Sequence, residues 1–399
     1  MTGVYAYVIV KTLNMALFMC ELLRENRRTD MTKAKKKKIA IGVISGFLAL
    51  VLVIAFILCF PLFGKKHVQV WAASDEFDIN SIQTVEKNPN EEFKILQLTD
   101  LQLWANLSDN KKALEEVDAL IEKTSPDLIV LTGDNVSGLT TNFLTRQVIK
   151  CFESHKIPWA TVFGNHDSEG KATLNWQGDR YEEAEYCLFE KGPSNLYGVG
   201  NYVVNVTENG KVIQSLFMMD NGRYYDYGGE TGKREIYMGY EQMAWYEWNI
   251  KGIAENEGKT VPSMVFTHFA LPQTRTAIEE LAEVEEIVVD GEKTQRYVVP
   301  EKYGFGICAY LPGAAPVDSG FFDLCKELGS TKYFFFGHDH ENNASITYDG
   351  MTMTYGLKTG PSPAPWNNAE EYGGTLITIG NAADNYKVSI EHIVEEKAE

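Results

Sequence analysis

Five short apolar runs in this 399-residue chain each end in side chains that can bind a metal ion or a phosphate. Phe93–Leu98 is followed by Thr99, Asp100, Leu101 and Gln102, and Leu128–Leu131 by Thr132, Gly133, Asp134 and Asn135. Trp159–Phe163 leads into Gly164, Asn165, His166 and Asp167. Met264–Phe266 leads into Thr267 and His268, and Tyr333–Phe336 into Gly337, His338, Asp339 and His340. Carboxylate, amide oxygen and imidazole, with no cysteine among them, suit divalent Mn, Fe, Zn or Mg. Two such ions close together clamp a phosphate, generate hydroxide near neutral pH and stabilise a leaving oxygen. That arrangement needs one bridging carboxylate, and Asp134 sits between the other motifs. Each piece alone is weak, since Gly, Asn and Asp also favour turns and a single His268 fits a packed core. The conjunction is the signal: of the six histidines from His67 to His340, four fall in these clusters. His155 stands outside them and reads as structural.

The apolar runs have the length of buried strands. Between them lie helical patterns. Asp109–Lys123 places Leu114, Val117 and Ile121 on one face, with Ser108 or Asp109 as its cap. Asn142–Ser154 and Glu241–Glu255 repeat the pattern less regularly. The alternation predicts an α/β fold, in which ligands gather at the carboxyl ends of the strands. Glu279–Val298 holds seven acidic residues and reads as an exposed excursion, with a cation-binding loop as the alternative.

In order, the motifs D-x-Q, GD, GNHD, H and GHDH resemble the calcineurin-like metallophosphoesterase superfamily across about residues 92–360. The wording at Lys94–Leu98, Pro158–Ala160, Asp167–Gly170, Gly198–Tyr202 and Ser319–Phe322 is similar to its purple-acid-phosphatase-like branch. The resemblance implies a four-layer α/β/β/α sandwich over residues 91–395 and hydrolysis of a phosphate ester by metal-bound hydroxide. It implies one divalent ion held by Asp100, Asp134, His340 and Gln102, and a second held by Asp134, Asn165, His268 and His338. His166 then meets the phosphate and the leaving oxygen, and Asp167 orients or polarises it. A phosphorylated small molecule or peptide is the implied substrate, as a monoester first and a diester as the alternative. Two positions depart from the pattern. Gln102 stands where many members have His, and Ser137 stands where purple acid phosphatases have Tyr, so the tyrosinate-to-iron colour is not expected. Gln102 also motivates another reading, a weakened relative that binds phosphorylated ligands.

The net charge of −18 is unevenly spread. The first 66 residues hold 11 of the 37 Lys/Arg and 3 of the 55 Asp/Glu, which leaves −26 on the rest. A body that acidic repels a nucleic-acid backbone, so duplex binding is not expected. Residues 39–63 form an uncharged apolar run long enough to span a bilayer. Lys33, Lys35, Lys36, Lys37 and Lys38 precede it, so the positive-inside bias puts the N-terminus in the cytoplasm. The expected plan is a basic tail at 1–38, an anchor at 39–63, a polar stalk at 64–90 and an extracytoplasmic catalytic domain at 91–395. A cleaved signal peptide fits less well, because the run is long and lacks a small-residue cleavage site. Met31 is a second candidate start. No P-loop, nucleophile elbow or dinucleotide fingerprint is present. Cys151, Cys187, Cys308 and Cys325 allow disulfides without requiring them. Asn106, Asn135, Asn205 and Asn343 head glycosylation sequons, of which those at Asn135 and Asn343 adjoin the metal motifs and read as chance. Trp245 and Trp248 read as core, and Arg223, Tyr224, Tyr225 and Tyr227 as a cleft wall or a surface loop.

Overall fold

The computed structural model describes residues 41–53, 61–227, 230–236, 238–289, 291–314, 317–360 and 371–395. For 223–227, 230–236, 289 and 395 the backbone alone is described. The chain divides into two units, Met1–Pro61 and Leu62–Glu399. In the first, residues 41–53 are helical, and Ile41, Ile44, Phe47, Leu48, Val51 and Leu52 are exposed. Residues 39, 40 and 54–60 of the expected anchor lie outside the described residues, as does the basic tail. Among the described residues no helix is long and apolar enough to cross a membrane.

The second unit alternates strands and helices. In chain order these are β1 (Gln83–Glu86), β2 (Phe93–Leu98), α1 (Leu107–Thr124), β3 (Leu128–Thr132), α2 (Thr141–His155), β4 (Trp159–Val162) and α3 (Leu174–Glu182). Next come β5 (Tyr202–Glu208), β6 (Lys211–Met218), β7 (Gly222–Tyr227), β8 (Glu230–Ile236), α4 (Tyr240–Glu257), β9 (Ser263–Phe266) and α5 (Pro272–Leu281). The remainder is β10 (Glu283–Val289), β11 (Glu292–Val298), β12 (Gly304–Phe305), β13 (Ile307–Cys308), α6 (Phe321–Leu328), β14 (Thr331–Phe336), β15 (Ser345–Tyr348), β16 (Met351–Tyr355), β17 (Tyr372–Ile379) and β18 (Val388–Glu395). All five runs expected as strands are strands. One sheet has the order β18-β17-β2-β3-β4, with β2, β3 and β4 parallel. The other runs β1-β5-β6-β9-β14-β16-β15-β12, with β6, β9, β14 and β16 parallel.

Strand alternation assigns the two faces of the larger sheet. Tyr202, Val204, Met264, Phe266 and Phe335 join one core with the smaller sheet and with Val117 and Leu120 of α1 and Val148 and Phe152 of α2. Their neighbours Val203, Val265, Phe334 and Phe336 join a second core with Tyr246 and Ile250 of α4, Ile278 of α5 and Phe321 of α6. The larger sheet therefore has α4, α5 and α6 on the face opposite to the one that packs with the smaller sheet.

Two expectations need correction, and a third is met with added detail. The cap of α1 is Asn106, whose Oδ1 accepts the Ser108 N–H at 3.0 Å, so the helix starts two residues before Asp109. Residues 64–90 are no free stalk: β1 pairs in parallel with β5, and the Lys65 N–H donates to Asp179 Oδ2 at 2.8 Å. Phe77 and Trp71 also pack edge-on against Trp248 of α4. The acidic excursion contains a hairpin, β10–β11, in which Glu285 and Glu286 pair with Arg296 and Lys293. The four body cysteines are free thiols. Trp245 is core, while the side chains of Arg223, Tyr224, Tyr225 and Tyr227 lie outside the described residues.

Candidate metal centre

The carboxyl ends of β2, β3 and β4 from the smaller sheet and of β9 and β14 from the larger meet at one place. Backbone bonds stitch the loops together. The Asp100 N–H donates to Gly133 O at 3.1 Å, Gln102 N–H to Asp134 O at 2.8 Å, and Gly337 N–H to His268 O at 3.0 Å. Gln97 Nε2 spans the sheets, donating to Thr132 Oγ1 at 3.0 Å and Phe336 O at 2.9 Å. Asp100, Gln102, Asp134 and His338 all have left-handed backbones, with φ of 54°, 43°, 52° and 72°. Such conformations are uncommon without glycine and persist only where the surroundings enforce them, typically at functional sites.

Two groups of predicted residues result. In the first, His340 Nε2 lies 3.3 Å from Asp100 Oδ1 and 3.2 Å from Gln102 Nε2. In the second, His268 Nε2 lies 3.2 Å from Asn165 Oδ1 and 3.3 Å from Asp134 Oδ2. Ligand atoms of Asp134, His268 and His338 all fall within 4.8 Å of one another. His268 Nδ1 donates to Thr132 O at 2.8 Å, which fixes the tautomer and turns Nε2 inward. Asp100 Oδ2 accepts from Thr99 Oγ1 at 2.7 Å and from the His338 N–H at 3.0 Å. Its other oxygen has no hydrogen-bond partner, and neither does Asp134 Oδ2 or Gln102 Oε1, although all three are buried. Buried acceptors left in that state are costly unless a cation or proton answers them. The donor set therefore fits divalent ions.

The charges respond to the same imbalance. Burial opposes ionisation of Asp134, but His268 and then His166 outweigh it and hold the carboxyl well below its usual range. Burial likewise opposes charge on His268, yet Asp134 lifts it to about 10. His338 moves the other way, down to about 3, through burial and the neighbouring His268.

His166 joins the site from the solvent side, with 21% of its side chain exposed and Nε2 3.8 Å from Asp134 Oδ2. Its backbone N–H donates to Asp134 Oδ1 at 2.7 Å. The expectation that Asp167 orients this ring is corrected by the geometry. The Asp167 carboxylate is fully buried and accepts the N–H groups of Gly164, Asp134 and Val136 at 2.8, 2.9 and 3.1 Å, so it shapes the loops instead. Burial and the Asp134 charge push its carboxyl up to about 7. The partner of His166 is Glu169, whose Oε1 lies 2.7 Å from Nδ1. Its spacing, three residues after the histidine, was a readable signal. Lys358 was also missed. It is buried beside the site, donates from Nζ to Asp100 O at 3.1 Å, and burial draws its ammonium down to about 8. Nothing in its sequence context marks it.

The chain matches the calcineurin-like phosphoesterase family over residues 93–342. It is 26% identical over 306 residues to an Arabidopsis thaliana protein named probable inactive purple acid phosphatase 14, covering 67% of this chain and 70% of that one. It is 29% identical over 219 residues to phosphatase DCR2 of Saccharomyces cerevisiae, covering 48% of this chain and 37% of that protein. A solved dimetal phosphatase from Danio rerio aligns with a TM-score of 0.46 at 11% identity, over 75% of this chain and 98% of that one.

Proposed function

The chain belongs to the calcineurin-like phosphoesterase family, on its purple-acid-phosphatase-like branch, and from that premise we propose that it is a metal-dependent phosphomonoesterase. The observation that carries this reading is the trio of buried oxygens without hydrogen-bond partners, on Asp100, Gln102 and Asp134, facing the histidines of two sheets. Asp100, Gln102, Asp134 and His340 would hold one divalent ion of the Mn, Fe, Zn or Mg type, and Asp134, Asn165, His268 and His338 would hold the other. When bound, the two ions supply Lewis acidity to the phosphoryl oxygens and lower the pKa of the attacking water.

The protein's own groups do the rest. Water attacks phosphorus directly, with no covalent enzyme intermediate, and the bond to the leaving oxygen breaks. The exposed edge of His166 contacts the phosphate and gives the leaving oxygen its proton, while Glu169 holds the ring in place through Nδ1. Asp167 keeps the β3 and β4 loops at the spacing that aims Asp134 and Asn165.

A second reading, a weakened binder of phosphorylated ligands, has support in Gln102 and in the "probable inactive" name of the Arabidopsis relative. Against it stands the full set of His166, His268, His338, His340 and Asn165. The full chain loaded with Mn, Zn or Fe tests both, by comparing a chromogenic phosphomonoester with its diester, with and without chelator. Chelator-sensitive monoester turnover is the expected result. Diester preference favours a phosphodiesterase, and no turnover with any metal favours the binder. Gln102→His then separates the cases, because a large gain in rate marks the native site as compromised.

We further place the catalytic unit on the extracytoplasmic side of a membrane, anchored by residues 39–63. This rests on the uncharged run and the lysines before it. Protease added outside intact cells should cleave the second unit; complete protection contradicts the placement.

A further inference from the structure

A second cluster of ligand-type side chains lies between α1 and α2, two helices that contribute nothing to the central site. Cys151 and His155 are one turn apart on α2 and share a face. Asp118 reaches them from α1. Its Oδ1 lies 2.8 Å from His155 Nε2 and 3.6 Å from Cys151 Sγ. The three ligand atoms all fall within 4.8 Å of one another. A tetrahedral zinc, with bonds of about 2.3 Å to sulfur and about 2.0 Å to nitrogen and oxygen, holds its ligand atoms roughly 3.3–3.6 Å apart. The observed spacing needs only small side-chain adjustments to match.

We propose that Asp118, Cys151 and His155 form a zinc site that ties α1 to α2 and keeps a fourth position open. An adjoining cavity of about 470 Å³ supports the open position, since Asp118 and Cys151 line it together with Leu107, Leu114, Gln147 and Ser154. Two of the three ligands, Asp118 and Cys151, face this space, which leaves room for water or for a donor group of another molecule. Thiolate and imidazole make this set softer than the central one, so it selects zinc over Mn or Mg. Binding zinc forms the Zn–S bond and releases the thiol proton to solvent, while His155 binds as neutral imidazole through Nε2. The site does not depend on the phosphoesterase reading.

Cobalt(II) added to the full chain provides the test. A cobalt–thiolate pair absorbs in the near ultraviolet, and the central site has only oxygen and nitrogen ligands, so a band that depends on Cys151 reports the α1–α2 cluster. The band should appear in the parent protein, vanish when zinc is added, vanish in Cys151→Ser and survive in Asp134→Asn. Asp118→Asn, at an exposed position, should lower cobalt affinity about tenfold or more. No band in the parent protein overturns the proposal, as does a band unchanged in Cys151→Ser or an unchanged affinity in Asp118→Asn.

Discussion

At position 166 the two ring nitrogens have different surroundings. Nδ1 is held by Glu169, while Nε2 is left to face the site. His166→Ala should lower kcat by about 10²–10⁴-fold and leave the metal content unchanged. Glu169→Gln should lower kcat by a smaller factor, with KM and metal content unchanged. A fall in metal content in Glu169→Gln, measured by elemental analysis, would show that the carboxylate supports the ligands instead. The glycines beside the ligands carry a second residue-level prediction. A Cβ on Gly164 would lie 2.2 Å from Asp134 Oδ1, and one on Gly337 would lie 2.5 Å from Asp100 Oδ2. Both glycines have ordinary backbone angles, so alanine fits the chain and strikes only its neighbours. Gly164→Ala and Gly337→Ala should each weaken metal binding about tenfold or more while the protein still melts cooperatively. The candidate ligands were legible as a set because their motifs follow strands that the structure brings together. Asp167 was misplaced because sequence adjacency says nothing about direction: its carboxylate turns back to three backbone N–H groups, away from the ring beside it.

Among the elements, the strands that end in ligands were the readable ones. β2 matches its expected span, Phe93–Leu98, because it is buried almost throughout and therefore wholly apolar but for Lys94 and Gln97. The edge strand β1 was hidden, since half-buried Gln83–Glu86 is polar and looks like a linker. The β10–β11 hairpin was hidden for the same reason, its charges facing solvent on an outlying sheet. Helix α3 carries a buried ion pair, Asp179 with Lys191, which Glu182 also joins. Burial opposes charge on Asp179, but hydrogen bonds from Lys191 and the Lys65 N–H prevail and hold the carboxyl below its ordinary range. The stability it contributes is thus complete above the unfolded value of about 3.9 and fades as pH falls through the lower folded value. Asp179→Asn should cost about 2 kcal/mol at pH 7, less than a fully broken buried pair because Glu182 remains. That cost should shrink toward zero in denaturant titrations repeated at successively lower pH below that window. A pH-independent cost would show that packing, not charge, is at stake.

For the whole molecule, the centre exists only because two sheets meet. β2, β3 and β4 bring Asp100, Gln102, Asp134, Asn165 and His166, and β9 and β14 bring His268, His338 and His340. The order of motifs along the chain revealed the set, but not that Gln97 bridges the sheets through Phe336 O. Burial sorts the sequons: Asn135, expected to be a chance match, and Asn205 are fully buried and bond to Thr161 and Ser215, whereas Asn106 is exposed. Folded protein from a glycosylating host should carry no sugar at Asn135 or Asn205 by mass spectrometry, and a glycan found at either contradicts their burial. Under the proposed reading Asp134 would be shared by both ions and would join them into one centre. Electron paramagnetic resonance of the manganese-loaded chain tests that role directly. Two ions bridged by Asp134 predict an exchange-coupled signal that collapses to uncoupled manganese in Asp134→Asn. An uncoupled signal in the parent protein at saturating manganese would contradict the two-ion centre.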